Sequence, residues 1–554
     1  MKGLAGRVLR RNLGRLRRTS KLKLVFCLFV FAGAVWFHLW IATSMVQEQP
    51  GDTKLYEQLA RNLVEQGTFS SDEQAPYNPT LIRTPGYSLF LAGIYEIAGV
   101  DNERAVRITQ SILFTLTAVF CGLIAALWIR ERRCAAGWAA FILTAFCPFL
   151  VIYTATVLAE ALTFFLFAAM LLTASYALQI QRKSLSIGWW ALSGLIAGIA
   201  VMVRPDAGLF AFGIGVTLIL TVFSGRGTMG RKALDRISKA GVFSIGFCLV
   251  LAPWTIRNER LFGVFQPLAP AHAEMPGEFV PRGYFRWLRT WIDDPKYIDP
   301  MLWALEEKPI KIESVPESAF ASVEEKARVA DLLAQYNNSD PDHPYPPPAK
   351  KTNSDDKSDD NDPKDDSGAD DDASDNTDAS DDDQSDSDVE YDLKISPEVD
   401  AAFAQLADER IARDPYRNYL LLPAKRSTVM WFDTHSDFYT FAGELFPLNE
   451  IDPNTGQGFW LPTFSGLDAL YTMLAVAGAV LLLLMGRGRW KLLVLLLLVS
   501  LPRAAFFGFL ENPEPRYLTE LFIPAALLGA VFVSSLRFRR ESGSAGIEVN
   551  YGGR

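Results

Sequence analysis

Apolar residues arrive along this chain in long unbroken blocks, not in the one-sided stripes of a helix half exposed to water. A hydrocarbon layer about 30 Å thick takes about 20 apolar residues in a helix. On that measure ten blocks qualify: 24–46, 106–129, 135–153, 157–179, 187–203, 206–224, 237–254, 466–485, 490–510 and 517–536. The first follows a basic segment running from Lys2 to Lys23, and its apolar run outlasts the core of a signal peptide, about 7 to 15 residues, so it reads as an uncleaved anchor. The pattern predicts an all-α polytopic membrane protein with about ten transmembrane helices, seven before one large polar segment and three after it.

Loop charge sets the expected orientation, because short cytoplasmic loops collect Lys and Arg. With the N-terminus inside, Arg130/Arg132/Arg133, Arg182/Lys183, Arg226/Arg231/Lys232/Arg236, Arg487/Arg489/Lys491 and Arg537/Arg539/Arg540 all fall on the cytoplasmic side. The expected organisation is a basic cytoplasmic N-terminus 1–23, a seven-helix catalytic module 24–254 with a first outer loop 47–105, a large extracytoplasmic loop 255–465, three helices within 466–536 and a cytoplasmic tail 537–554. Asp52, Glu160, Arg204, Asp206, Arg257 and Arg516 then stand at or just beyond the outer ends of helices. Charge gathered at one face suits a membrane-surface active site. A transporter or flippase of a lipid-linked substrate is the alternative, and it calls for ionisable residues near the bilayer midplane or related halves; neither is evident. A non-catalytic scaffold binding partners through the long loop is a third reading, which these acidic and Arg positions do not favour.

The long loop divides by composition. Residues 258–336 are rich in aromatics and proline, with Trp287, Trp291 and Trp303, and their Glu-Lys-rich stretches are expected to form short helices lying on the membrane. Helical pattern returns over 401–413 through Phe403, Leu406 and Ile411. Between them, residues 355–392 hold nineteen acids against two lysines, a local charge of −17, so the formal −9 of the 554-residue chain conceals a remainder of +8. With few apolar residues this tract is expected to be a disordered, solvated linker. It lacks the ligand spacing of a calcium loop, and weak polyvalent cation binding by its carboxylates is the alternative to a plain linker. Whole-chain charge therefore gives no case for a nucleic-acid partner.

Cysteine and histidine add little. Cys27, Cys121, Cys134, Cys147 and Cys248 lie in or beside apolar blocks without a CxxC pair, and His38, His272, His343 and His435 show no HExxH-like spacing. A disulfide framework or a zinc enzyme is not indicated.

The run from Asp52 through Tyr56 and Gly67 to Phe69, then Arg83-Thr-Pro-Gly-Tyr87, resembles the first outer loop of bacterial glycosyltransferases of the C superfamily, in the branch of protein O-mannosyltransferases and the lipid A aminoarabinose transferase. Ala159-Glu160-Ala161, Val203-Arg204-Pro205, Ala252-Pro-Trp254-Thr-Ile-Arg257-Asn258 and Arg516-Tyr517 follow in the same order. The resemblance is good through about residue 267, thin in the long loop and partial in the last three helices. It implies transfer of a sugar from a polyprenyl-phosphate carrier to an extracytoplasmic protein, lipid or polysaccharide, by an enzyme of the bacterial cytoplasmic membrane that inverts the anomeric centre.

In that setting Asp52 takes the family's place for the base that removes the acceptor proton; from its own surroundings it also reads as a helix cap after Pro50-Gly51. Glu160 orients the acceptor, holds a divalent cation (Mg or Mn) together with Asp52, or pairs with an arginine. Arg83, Arg204, Arg257 and Arg516 are candidates for the donor phosphate, because guanidinium groups bind two oxygens at once, with headgroup anchoring as the rival for Arg204 and Arg257. Tyr56 and Tyr87 are candidates for the sugar pocket or for an interfacial aromatic belt. Asp72-Glu73 reads as a surface pair.

Overall fold

The computed structural model describes residues 25–45, 51–223, 228–341, 343, 391–484 and 489–536. The basic N-terminus, nearly all of the acidic tract and the C-terminal tail lie outside the described residues. Among the described residues regular structure is entirely helical. In chain order the helices are α1 (Val25–Ser44), α2 (Gly51–Glu65), α3 (Gly86–Ala98), α4 (Glu103–Trp128), α5 (Arg133–Ala145), α6 (Pro148–Val151), α7 (Glu160–Gln179), α8 (Lys183–Val203), α9 (Gly208–Leu220), α10 (Met229–Phe262), α11 (Arg282–Leu288), α12 (Val323–Asn337), α13 (Pro397–Arg413), α14 (Leu422–Trp431), α15 (Gln457–Leu484), α16 (Trp490–Gly508) and α17 (Phe522–Ser535).

Nine helical spans among the described residues are long and apolar enough to cross a membrane, or ten if one bent pair counts as a span. The bent pair is the expected third span, 135–153. It is broken, with Arg130–Ala145 and Pro148–Thr154 meeting at 56°. Pro148 opens α6 and has no N–H to continue the ladder of α5, which accounts for the bend.

The chain divides into two compact units, one of residues up to Phe279 with Ser427–Phe507 and everything from Glu514, the other of Val280–Arg426 with Gly508–Pro513. In the first unit, α7 and the span Pro515–Ser535 are the most enclosed, each with 83% of its apolar window buried, against 22% for α1. A helix that is apolar all round belongs inside a bundle, and the two enclosed segments are the ones that begin at Glu160 and at Pro515-Arg516. Close backbone approach holds the neighbours: a Cβ on Gly194 of α8 would sit 2.1 Å from the Phe243 carbonyl oxygen of α10, so only glycine fits there.

The second unit has its own core, with Tyr284, Trp287, Leu288 and Trp291 packed against Val329, Leu333, Phe403 and Leu406. Trp287 and Trp291 face this core. Ser322 and Ser396 cap α12 and α13 by accepting from Glu325 N and Val399 N, each at 3.2 Å. Ser396-Pro397 thus starts the helix earlier than the 401–413 pattern implied. A buried ion pair, Arg410 Nη1 to Glu325 Oε1 at 2.6 Å, ties α13 to α12; removing one partner of such a pair costs about 3–5 kcal/mol.

Candidate functional site

Asp52 stands in the first turn of α2, where the positive end of the helix favours a carboxylate. Its Oδ1 accepts from Arg83 Nη2 at 3.0 Å, and its Oδ2 faces Arg516 Nη2 at 3.2 Å. Burial works against this charge, but Arg516 and then Arg83 outweigh it and hold the carboxyl below the usual aspartate value. The side chains of Asp52 and Arg83 stay 29% and 30% exposed.

Arg83 is delivered by the turn before α3. A Cβ on Gly86 would lie 2.5 Å from the Met202 carbonyl carbon, so glycine lets the Arg83-Thr-Pro turn rest against the end of α8. The next residues after that end are Arg204-Pro205. Arg204 has extended backbone, caps α8 and turns away from it at Pro205. Its Nη1 donates to Glu160 Oε1 at 2.5 Å, while Nε and Nη2 fork onto the two oxygens of Asp206 at 3.2 and 3.3 Å. Glu160 itself opens α7 and is buried.

A second layer lies behind these pairs. Asp206 Oδ2 also meets Arg503 Nη2 at 2.7 Å, which in turn meets Glu520 Oε2 at 2.8 Å. The Arg503 guanidinium donates from Nε to the Tyr517 carbonyl and lies 4.8 Å from the Phe210 and Phe507 rings. Arg516 is held from its other side, its Nε paired with Glu514 Oε2, and Glu514 Oε1 accepts from the Tyr517 hydroxyl at 2.5 Å. Burial pushes the Glu514 carboxyl up, opposed by Arg516 and Tyr517.

Tyr56 feels both groups of charges. Burial raises its phenol, with Arg83 and Arg204 opposing and Asp52 and Glu160 reinforcing, so the hydroxyl remains a neutral donor. Its ring meets Tyr87 edge-on at 5.0 Å. Tyr87 is committed elsewhere: its hydroxyl donates to Gln110 Oε1 at 3.0 Å, and Gln110 Nε2 donates to the Thr156 carbonyl at 2.6 Å. With Thr53 Oγ1 donating to the Val157 carbonyl at 3.1 Å, these bonds fix the segment that leads into Glu160.

Of the eight residues singled out from sequence, the structure thus gathers Asp52, Arg83, Arg516, Tyr56, Glu160 and Arg204, and packs Tyr87 behind Tyr56. Arg257 has other partners. It donates to the Thr80 carbonyl at 2.8 Å and to Asn258 Oδ1 at 2.9 Å, and lies over Trp254 at 4.6 Å, bracing the segment between α2 and α3. Asp72 closes a turn by accepting from Asn78 N at 2.6 Å.

Sequence reasoning missed Arg503, Glu514 and Glu520. Arg503 is a charge inside the block 490–510, and the two glutamates flank Arg516-Tyr517 in Glu514-Pro-Arg-Tyr-Leu-Thr-Glu520. Asp468, buried within α15, is a second such charge. After α14 the chain folds back on the break before α7, with Phe438 against Tyr153 at 5.4 Å and the Tyr439 hydroxyl donating to the Pro148 carbonyl at 3.0 Å. Burial pushes both Asp433 and Asp437 of this segment up to about 6.

Among the described residues no group of three or more His, Cys, Asp or Glu is placed to hold a metal ion. Asp52 and Glu160 each face guanidinium groups, which suits arginine pairing and opposes a divalent cation between them.

The family model described as dolichyl-phosphate-mannose-protein mannosyltransferase matches residues 82–254, the stretch that carries Arg83, Tyr87, Glu160 and Arg204. The resemblance to the glycosyltransferase C superfamily stands. Asp52, Arg257 and Arg516 of this C-superfamily-like chain fall outside the matched stretch. Among solved structures, ArnT from Cupriavidus metallidurans bound to undecaprenyl phosphate is similar at 14% identity and a TM-score of 0.34, over 92% of this chain and 78% of that one. Its apo state gives 13% and 0.32, over 93% and 78%. No curated protein matches.

Proposed function

We propose that the protein is a membrane glycosyltransferase that moves a sugar from a polyprenyl-phosphate donor to an acceptor hydroxyl on the extracytoplasmic side. The observation that carries the reading is the placement of one accessible carboxylate, Asp52, between Arg83 and Arg516, beside a Tyr56 that also feels the charges of Glu160 and Arg204. The matched family's description, a sugar carried on dolichyl phosphate, supports the donor class.

In this reading Asp52 removes the proton of the acceptor hydroxyl as its oxygen attacks the anomeric carbon. The bond from that carbon to the phosphate oxygen breaks, and polyprenyl phosphate leaves with the electron pair. Arg83 and Arg516 bind the phosphate and stabilise the charge it gains. Arg204 holds Glu160 in a buried pair at the start of α7, and Tyr56 donates a neutral hydroxyl. Glu160 stays locked to Arg204, so Asp52 acts as a single base and displacement inverts the anomeric centre.

Arg503 and Asp468, charges within apolar helices, are features a transporter would also show. Arg503, however, is joined through Asp206 to Arg204 and so belongs to the same charge network as Glu160. Mass spectrometry of cell-envelope glycoconjugates with and without the gene tests the proposal. Loss of one sugar at a defined attachment is expected, and an unchanged glycoconjugate profile would contradict it.

A further inference from the structure

Two of the arginines that face a site carboxylate are gripped from two sides. Arg204 meets Asp206 through Nε and Nη2 and Glu160 through Nη1; Arg516 meets Glu514 through Nε and Asp52 through Nη2. The two partners of Arg516 are not equivalent. Glu514 is buried, 7% exposed, and its other oxygen is already taken by the Tyr517 hydroxyl. Asp52 is far more open, and both of its oxygens are occupied by guanidinium groups, Arg83 on one and Arg516 on the other. A base in that position is masked, since the oxygen that must accept the acceptor proton is already accepting from an arginine. The same two arginines are the groups proposed to bind the donor phosphate, so the masked state and the phosphate-bound state compete for them.

Resting on the reading above, we infer that Glu514 is the positioning residue that fixes Arg516, while Asp52 is its exchangeable partner, displaced from Arg83 and Arg516 by the phosphate of the lipid donor. The base is then uncovered only when donor is in place. The coupling strengthens through the reaction: as the phosphodiester becomes a departing monoester it gains charge, draws the arginines further and leaves Asp52 more basic at the moment it must take the proton. An enzyme so arranged binds donor before acceptor and does not deprotonate a hydroxyl with an empty donor site.

The test is undecaprenyl phosphate binding to the full-length protein in lipid nanodiscs. Asp52→Asn removes the competing anion and should bind the lipid about fivefold tighter than wild type, the worth of an exposed ion pair at its upper end. Asp52→Ser, a second neutral variant, should tighten binding in the same direction. Glu514→Gln releases Arg516 and should bind severalfold more weakly, with Glu514→Asp recovering part of the loss. Asp52 variants that bind no tighter than wild type would overturn the inference, as would equal tightening by Asp52→Asn and Glu514→Gln, which would mark general relief of negative charge. Wild type and variants that all fail to bind undecaprenyl phosphate would instead overturn the donor assignment itself.

Discussion

Replacing Arg204 with Met removes the cation that sits between Glu160 and Asp206. The Arg204 side chain is 12% exposed and that of Glu160 only 4%, so the glutamate loses its counter-ion in a place where water cannot replace it. Asp206 keeps Arg503 at 2.7 Å and is less affected. Breaking a buried pair by removing one partner costs about 3–5 kcal/mol, most of it the penalty of the charge left behind. Neutralising that charge should restore most of the loss, so Arg204→Met with Glu160→Gln is expected to be clearly more stable than Arg204→Met alone, with a coupling of about 2–3 kcal/mol in the cycle. Unfolding of the detergent-purified protein by tryptophan fluorescence at one fixed heating rate reads the four members together, since membrane proteins often unfold irreversibly and midpoints depend on scan rate. An Arg204→Met protein that melts with wild type, or a double variant no better than the single, would refute the claim that this pair is a buried, mutually dependent unit.

Further expectations follow from the same geometry. Gly86→Ala places a methyl 2.5 Å from the Met202 carbonyl carbon, so the turn must shift at a cost of about 1–3 kcal/mol; transfer activity and melting midpoint should fall together as Arg83 is displaced from Asp52. Tyr87→Phe leaves Gln110 Oε1 without the hydroxyl that donates to it, which should lower stability by about 1–3 kcal/mol with little change in donor affinity; a large loss of affinity at unchanged stability would instead make Tyr87 a sugar contact. Asp433, pushed up to about 6 by burial, favours its protonated form in the fold. Its contribution to stability is therefore full below the ordinary aspartate value and lost as pH rises through about 6, so Asp433→Asn should melt above wild type at pH 8 and converge with it toward pH 4.

Much of the membrane architecture was legible because lipid permits so few solutions. A spanning segment must satisfy its own backbone, so long apolar blocks read directly as helices, and a lone Glu160 or Arg204 beside them is conspicuous because unpaired charge there is expensive. The bend at Pro148 was hidden because the apolar run 135–153 continues through it. Arg503 escaped notice for a related reason: one charge scarcely lowers the hydropathy of its leucine-rich block, and its partners Asp206 and Glu520 come from other parts of the chain. Pairing was out of reach, since Asp52 meets Arg516 from the far end of the sequence and nothing local specifies it. Arg257 shared its composition and apparent position with the phosphate candidates, yet its partners Thr80 and Trp254 could be seen only in three dimensions. The core of the second unit was not legible, because aromatic and Glu-Lys-rich stretches serve equally for an interfacial helix and for a small globular core.

The most direct measurement follows a labelled sugar from polyprenyl phosphate through membranes containing the wild-type protein or Asp52→Asn. Label should leave the lipid-linked pool for a glycosylated acceptor with wild type and remain lipid-linked with the variant, which should still insert and bind the carrier. Label that stays lipid-linked with wild type, or that moves as fast with Asp52→Asn, would contradict a glycosyltransferase in which Asp52 is the base.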